Sequence, residues 1–229
     1  MTRIFEDQTF SCLRDDSLGL TLSDMEFRRC RFHECVFSNT YMQSRRSKFA
    51  NAQIIDCIID GGLLGPAIVE DVLIRNLTST DTLFTRGMIF KHVTLSGRMG
   101  ELVILPLYEG DDGPKEGVNT INRANHDYYR EIDWAIDISN LECIECDIRC
   151  IPARLVRRDI ETQAVVTRAG LADGRWRELK KNSWKHHLSA MVREEADDCV
   201  LIAGKKAKDF RDQLAGIREL RSAGIADAE

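Results

Sequence analysis

"MEFRRCRFHECVFSN", residues 25–39, sets phenylalanine at 27, 32 and 37 and cysteine at 30 and 35. A period of five matches neither the 3.6 residues of an α-helix nor the two-residue alternation of a strand. Taking the central residue of each pentad as i, Phe27, Phe32, Phe37 and Met42 occupy i, with Met25, Cys30, Cys35 and Thr40 at i−2. After a two-residue slip the pattern resumes with Phe49, Ile54, Ile59, Leu64, Val69 and Ile74 at i. Their i−2 partners are Ser47, Ala52, Cys57, Gly62, Ala67 and Val72. Phe84 and Ile89, preceded by Thr82 and Gly87, continue the same phase. Ser79 and Thr94 hold intervening i positions, and elsewhere a bulky side chain repeatedly follows a smaller one.

Repetition at a fixed short period marks a solenoid, in which each turn buries its inward residues against the turns above and below. Bulky residues at both inward positions would overpack such a bore, and small ones at both would leave cavities. The interior is therefore assigned to Phe27, Phe32, Phe37, Ile54, Ile59, Leu64, Val69 and Ile74, with Cys30, Cys35, Ala52 and Cys57 in the small slots.

Over residues 25–90 this pattern resembles the pentapeptide-repeat family, which has a bulky Leu or Phe at i and a small Ala or Cys at i−2. The resemblance implies a right-handed quadrilateral parallel β-helix with four pentads to a turn, here with Glu26, Arg31, Val36 and Gln53 where the family often has Asp or Asn. Turns stacked at ~4.8 Å would give roughly three to four layers between residues 25 and 99. Some relatives are inhibitors that imitate DNA and bind topoisomerases through a strongly acidic surface. Residues 1–104 hold 12 basic and 13 acidic side chains, so that role is disfavoured. The resemblance leaves a non-catalytic protein–protein interaction module in a bacterium, a scaffold, an adaptor or an immunity-type binding protein, with a protein partner of unknown identity.

The fold class expected is mainly β with an α/β C-terminal part, the β-helix being capped by helices. Residues 1–104 form the repeat unit. "LPLYEGDDGPKEG", 105–117, reads as an exposed loop within 105–118, and its Asp111 and Asp112 lack the D-x-D-x-D-G spacing of a calcium site. Residues 119–171 read as a helix plus strands that continue or cap the repeat unit. Asn119 or Thr120 would cap a helix carrying Ile121, Ala124, Tyr128 and Ile132 on one face. Adjacent His126, Asp127, Tyr128 and Tyr129 would then point apart.

In "ISNLECIECDIRC", 138–150, a strand would put Ile144, Cys146, Ile148 and Cys150 on one face and Cys143 on the other, so the thiols do not converge on a metal. Leu155 with Val156 and Val165 with Val166 flank "RRDIETQ" and suggest a hairpin. The α/β segment 172–229 comprises a helix from a Ser183 cap to about Glu195, a strand Cys199–Ala203, and a helix Ala207–Ser222 with Phe210, Leu214, Ile217 and Leu220 on one face.

Bulk properties narrow the function classes. The chain of 229 residues is 43% hydrophobic and 30% charged with a net charge of −5, an ordinary globular composition. No apolar run approaches the ~18 residues of a membrane span, and "MTRIFEDQTFSCLRDD" has acids where a signal peptide needs an apolar core. A cytoplasmic location with reduced cysteines follows. The run Arg175, Arg177, Lys180, Lys181, Lys185, with Trp176 and Trp184 interleaved, is balanced by Glu178 and "REEADD", so nucleic acid is disfavoured. "VLIAGKKAKDF" lacks the phosphate-loop pattern, and neighbouring His186 and His187 diverge on a helix. No cofactor is expected. The alternative is an enzyme or nucleotide-binding protein with a site between the repeat unit and the C-terminal segment, and a homodimer stays open.

Overall fold

The computed structural model describes residues 1–110, 113–179, 182–194 and 196–227. Parallel strands run from Arg3 to Arg157 in three sheets, visited in rotation as far as Leu83–Arg86 and past it in the first and third sheets only. The first sheet stacks Arg3–Glu6, Thr21–Arg28, Lys48–Ile55, Ile68–Arg75, Ile89–Arg98, Ile136–Asp137 and Val156–Arg157 in that order, with Leu141–Glu142 beside Ile89–Arg98. The second holds Thr9–Ser11, Arg31–His33, Ile58–Asp60 and Thr78–Ser79. The third runs Arg14–Asp16, Val36–Asn39, Leu63–Leu64, Leu83–Arg86, Glu101–Leu105 and Glu145–Ile148. The first sheet has four layers across residues 21–98, the span for which three to four were expected, and three more outside it, Arg3–Glu6 before and Ile136–Asp137 and Val156–Arg157 after.

The period of five is a period of corners. Left-handed residues with φ between +47° and +60° fall at Asp7, Cys12 and Ser17, at Asp24, Arg29 and Glu34, at Asn51 and Asp56, at Asp71 and Asn76, and at His92, five apart within each layer, with Ser38, four residues after Glu34, outside that spacing. Gly61 and Gly97 continue the series at +70° and +67°. Such a conformation costs roughly 1–2 kcal/mol for a residue with a Cβ. The stack offsets it, because the corner N–H groups donate to carbonyls of the next layer: Asp7 to Arg28 at 3.0 Å, Arg29 to Ile55 at 3.0 Å, Asp56 to Arg75 at 2.9 Å and Asn76 to Ser96 at 3.0 Å. Cys12 and Glu34 donate in the same way, to His33 at 2.9 Å and to Asp60 at 2.8 Å.

Between corners, side chains alternate inward and outward, and register lines up the inward ones. Phe5, Phe27, Ile54, Ile74 and Leu95 form one column, and Phe49, Val69 and Phe90 another. Phe5 stacks on Phe27 with ring centres 5.0 Å apart, and Phe10 on Phe32 at 5.4 Å. Of the residues assigned inward from sequence, Phe27, Cys30, Ala52, Cys57 and Val69 are buried. Phe32, Phe37, Ile54, Ile59, Leu64 and Ile74 are half-buried and pack against them, and Cys35 is half-buried.

Past Ser79 the phase differs from the expected one. Phe84 is 47% exposed, while Thr85 pairs with Leu64 and is buried. Phe90 and Leu95 pair with Val69 and Ile74, so the inward positions have moved one residue later, and Met88 rather than Gly87 fills the small slot. An extra residue at the turn before Leu83 causes the shift, as the one-residue-longer step to the next layer shows. Ile89 stays buried, paired with Ile68 instead.

Among the described residues of 105–118 only part is exposed loop, Glu109 and Gly110 included: Leu105 and Leu107 are buried, and helix α1 already starts within it, at Lys115–Tyr129. Asn119 and Thr120 lie inside α1, whose N-cap is Pro114, and its buried face is Val118, Ile121, Asn125 and Tyr129 rather than the one through Ala124 and Tyr128. Proline suits this place because a helix start lacks a partner for its N–H anyway. α1 lies along the flank of the stack, spanning layers, instead of closing an end. Arg46, in the two-residue insertion, is buried and donates to the carbonyls of Pro66, Ala67 and Gly87 and to Asn125 Oδ1 of α1 at 2.7 Å. Burial lowers its pKa to about 10.

The expected hairpin around "RRDIETQ" is absent. Val156–Arg157 adds in parallel to Ile136–Asp137, whereas Gln163–Thr167 pairs antiparallel with Asp198–Ile202. Both strands pair with segments distant in sequence instead of with each other. In this small sheet Val165, Val200 and Ile202 face the core of the stack, and Ala164, Val166 and Leu201 face a second core. That second core is closed by α2 (Arg168–Leu171), α3 (Lys185–Arg193) and α4 (Phe210–Ser222). Trp184, not Ser183, is the N-cap residue of α3, and α4 starts three residues later than expected. Among the described residues no helix is long and apolar enough to cross a membrane.

Candidate partner-binding face

The outer face of the third sheet breaks the pattern of polar residues outside. Val36 pairs with Leu63, and Leu63 precedes Leu64, the partner of Thr85, so it lies beside Phe84. Phe84 pairs with Val103, and Val103 with Asp147. One outward column therefore reads Val36, Leu63, Phe84, Val103, Asp147. Leu63 is 40% and Phe84 47% exposed, Val36 is half-buried and Val103 forms a buried floor. The corresponding column of the first sheet is Ile4, Glu26, Gln53, Leu73, Thr94 and Asp137, polar at four of its six positions and without two exposed apolar residues side by side.

At its far end the apolar column enters a cleft of about 530 Å³ lined by Phe84, Val103, Leu105, Tyr108, Arg149 and Glu194 among others. Arg149 bridges Asp147 at 2.7 Å and Glu194 at 3.0 Å, which ties the third sheet to the residue capping α3. The hydrogen bond to Asp147 raises the guanidinium's pKa, and burial raises that of the Tyr108 phenol. Beside this column Glu101 and Glu145 occupy adjacent strands in register. Glu101 accepts a hydrogen bond from Thr82 Oγ1 at 2.5 Å, and neither carboxylate has an ion pair among the described residues.

A second groove, of about 560 Å³, crosses the first sheet beside His92. The imidazole joins Asp133 at 2.7 Å and Asp71 at 3.1 Å and stacks on Trp134, whose ring also carries the Arg157 guanidinium at 4.1 Å. These carboxylates, Asp133 first, hold His92 above the usual histidine range. His92 thus has both ring nitrogens engaged.

The residues singled out in sequence scatter. Tyr129 is buried and its hydroxyl accepts the Phe90 N–H at 3.1 Å, Tyr128 donates to Glu70 at 2.5 Å, and His126 and Asp127 lie in solvent. Cys143 and Cys146 are both buried in the stack core, and Ile144 is 46% exposed instead of sharing a face with Cys146. A turn at Cys143 and Ile144 precedes the strand and breaks the alternation there. Burial pushes the Cys143 thiol up to about 11 and Cys150 to about 12, and no group of side chains that could hold a metal occurs among the described residues.

Lys205 and Lys206 of "VLIAGKKAKDF" pair with Asp159 and Glu142 at 2.9 Å each. Trp176 and Trp184 are buried, so neither offers a stacking platform to a base. His186 and His187 stand with ring centres 6.2 Å apart and planes at 90°. Asp111, Asp112, Lys180, Lys181 and Glu195 lie outside the described residues.

The apolar outward column escaped the sequence reading because Phe84 fitted the inward phase. The competing phase was present: Leu83 with Thr85, Met88 with Phe90 and Val93 with Leu95 also place a residue at i−2 and one at i. No family model, no curated protein and no solved structure matches the chain.

Proposed function

We propose that the chain is a non-catalytic protein-binding module, a right-handed quadrilateral β-helix of pentapeptide-repeat type that presents the outer face of its third sheet to a protein partner. The stacked columns, the corners five residues apart and the rotation through successive sheets support the architecture. The observation that carries the function is the apolar column Val36, Leu63, Phe84, Val103 on a face where inward packing and corner geometry place no demand for apolar residues. Contiguous apolar surface of this kind costs solubility unless something covers it. Eight free cysteines support a reducing, cytoplasmic setting.

The test is affinity capture on the full chain and on its Leu63→Asp and Phe84→Asp variants, both folded by circular dichroism. A stoichiometric partner held by the wild type and lost by both variants is the expected result. A partner retained equally by all three would place binding elsewhere and overturn the assignment of this face.

A further inference from the structure

The third face also states what kind of element fits it, an inference that rests on the protein-binding reading above. We infer that the occupant is an amphipathic α-helix of a partner protein, lying along the stacking direction, with apolar side chains one turn apart and a Lys or Arg on the following turn.

Backbone chemistry decides between helix and strand. The strands Leu63–Leu64, Leu83–Arg86 and Glu101–Leu105 are paired on both sides, so their N–H and C=O groups are engaged within the sheet. An extended segment laid across that face would bring its own unpaired N–H and C=O groups onto Phe84 and Val103, a desolvation without compensation. A helix arrives with its backbone groups already satisfied.

Spacing agrees. Leu63, Phe84 and Val103 sit on successive strands, so with strands ~4.8 Å apart the two intervals span roughly 9.6 Å. Two helical turns cover about 10.8 Å, a mismatch that side chains absorb. Alternate residues of a strand would cover about 13.5 Å over the same two intervals, nearly a whole rung too far.

Charge sets the direction. Glu101 and Glu145 stand side by side on neighbouring strands without a counter-ion among the described residues. Like charges in that position repel. A single cation from the helix turn past Val103 relieves that repulsion. Asp147 and Glu194 already share Arg149, with Arg193 reaching Glu194 at 3.5 Å, so one basic residue suffices. The protein's own helices do not fill the role, since the buried apolar residues of α1 pack on Leu107 and the stack and those of α3 and α4 in the second core.

The experiment is selection from a displayed library of helix-forming peptides, randomised along one face of a fixed scaffold, on the immobilised full chain. Enriched peptides should carry apolar residues at i, i+3 or i+4, and i+7, with Lys or Arg on the next turn. Phe84→Asp should weaken a selected peptide by about tenfold or more, and Glu101→Gln with Glu145→Gln by several-fold with a flatter salt dependence. Leu63→Asp serves as an independent variant should Phe84→Asp fail to fold. Enrichment of nothing above background, of extended sequences, or of peptides indifferent to Phe84→Asp would overturn the helix. So would a wild-type dimer in sedimentation equilibrium that Phe84→Asp dissociates, because the occupant would then be a second copy. If capture shows a partner sensitive to Phe84→Asp while the library selects no helix, only the helix inference fails; if Phe84→Asp changes neither, the face itself is wrong.

Discussion

Phe84 and Phe90 are the same side chain six residues apart, and the fold assigns them opposite fates. Phe90 is 5% exposed in the column under Val69, whereas Phe84 stands 47% exposed on the outer face. Truncating Phe90 to alanine removes a ring from a packed interior and leaves a cavity between fixed layers, which costs about 3–5 kcal/mol. Its backbone N–H keeps the bond to Tyr129, so the loss is one of packing alone. Phe84→Ala forfeits only part of the ~1.5–3 kcal/mol that full burial of such a side chain provides, and leaves no void, so about 1 kcal/mol is expected. Urea unfolding of the two variants beside the wild type, with free energies extrapolated linearly, reads the difference directly. A strict continuation of the pentads from Ile74 would place Phe84 inside and Phe90 outside. Should Phe84→Ala cost as much as Phe90→Ala, the one-residue phase shift would be wrong, and with it the apolar outer column.

Three other outcomes follow from the structure. His92 titrates above the usual histidine range because Asp133 and Asp71 favour its charged form; the folded state then holds the proton more tightly, so this stabilisation is complete below the unfolded value of about 6.5 and fades as pH rises through the folded one. His92→Asn should therefore lower the urea midpoint more at about pH 5.5 than at about pH 8.5, by less than about 1 kcal/mol since the site is largely solvated, and an equal or reversed loss would contradict the ion pairs. Gly62 has φ +102°, and a Cβ there would meet the Cys35 carbonyl oxygen at 2.1 Å, whereas Gly110, at +85°, has open space around it. Gly62→Ala should cost clearly more than the roughly 1 kcal/mol of backbone strain expected for Gly110→Ala, and equal melting temperatures would refute the close approach. Cys12 is the exposed cysteine, while burial raises Cys143 to about 11 and Cys150 and Cys199 each to about 12. A thiol reagent at neutral pH should modify Cys12 first, and mass mapping that found Cys143 or Cys150 ahead of it would count against the packing described.

The layered β architecture was legible in a few residues because inward positions are constrained twice, by the layer above and the layer below. Phe27, Cys30, Ala52 and Cys57 repeat their size class for that reason, and their burial follows. Residues 1–24 were placed in the repeat unit without a pentad pattern to carry them: Phe5 and Phe10 keep the period, but Leu13 and Leu18, the apolar residues nearest the continuing positions, are exposed. Where the chain leaves the repeat, local signals competed with distant partners. Asn119 and Thr120 look like caps, yet Pro114 starts α1 earlier because Val118 and Ile121 pack with Leu107. The "RRDIETQ" hairpin lost to a pairing between residues 163 and 202 that no local window contains.

Three demands act on each pentad: inward residues must fill the bore, corner residues must tolerate φ near +55°, and the remaining positions need only be compatible with water. The first sheet uses that last freedom for Glu26, Gln53 and Thr94. The third sheet uses it for Val36, Leu63 and Phe84, at some cost in hydration and with no gain in packing for the exposed part of each side chain. Folding alone does not favour that choice, since a polar substitution at Leu63 or Phe84 would leave the columns and corners intact. On the protein-binding proposal the apolar face is explained by what covers it, and Glu101 and Glu145, without an ion pair among the described residues, fit a covering element that brings positive charge.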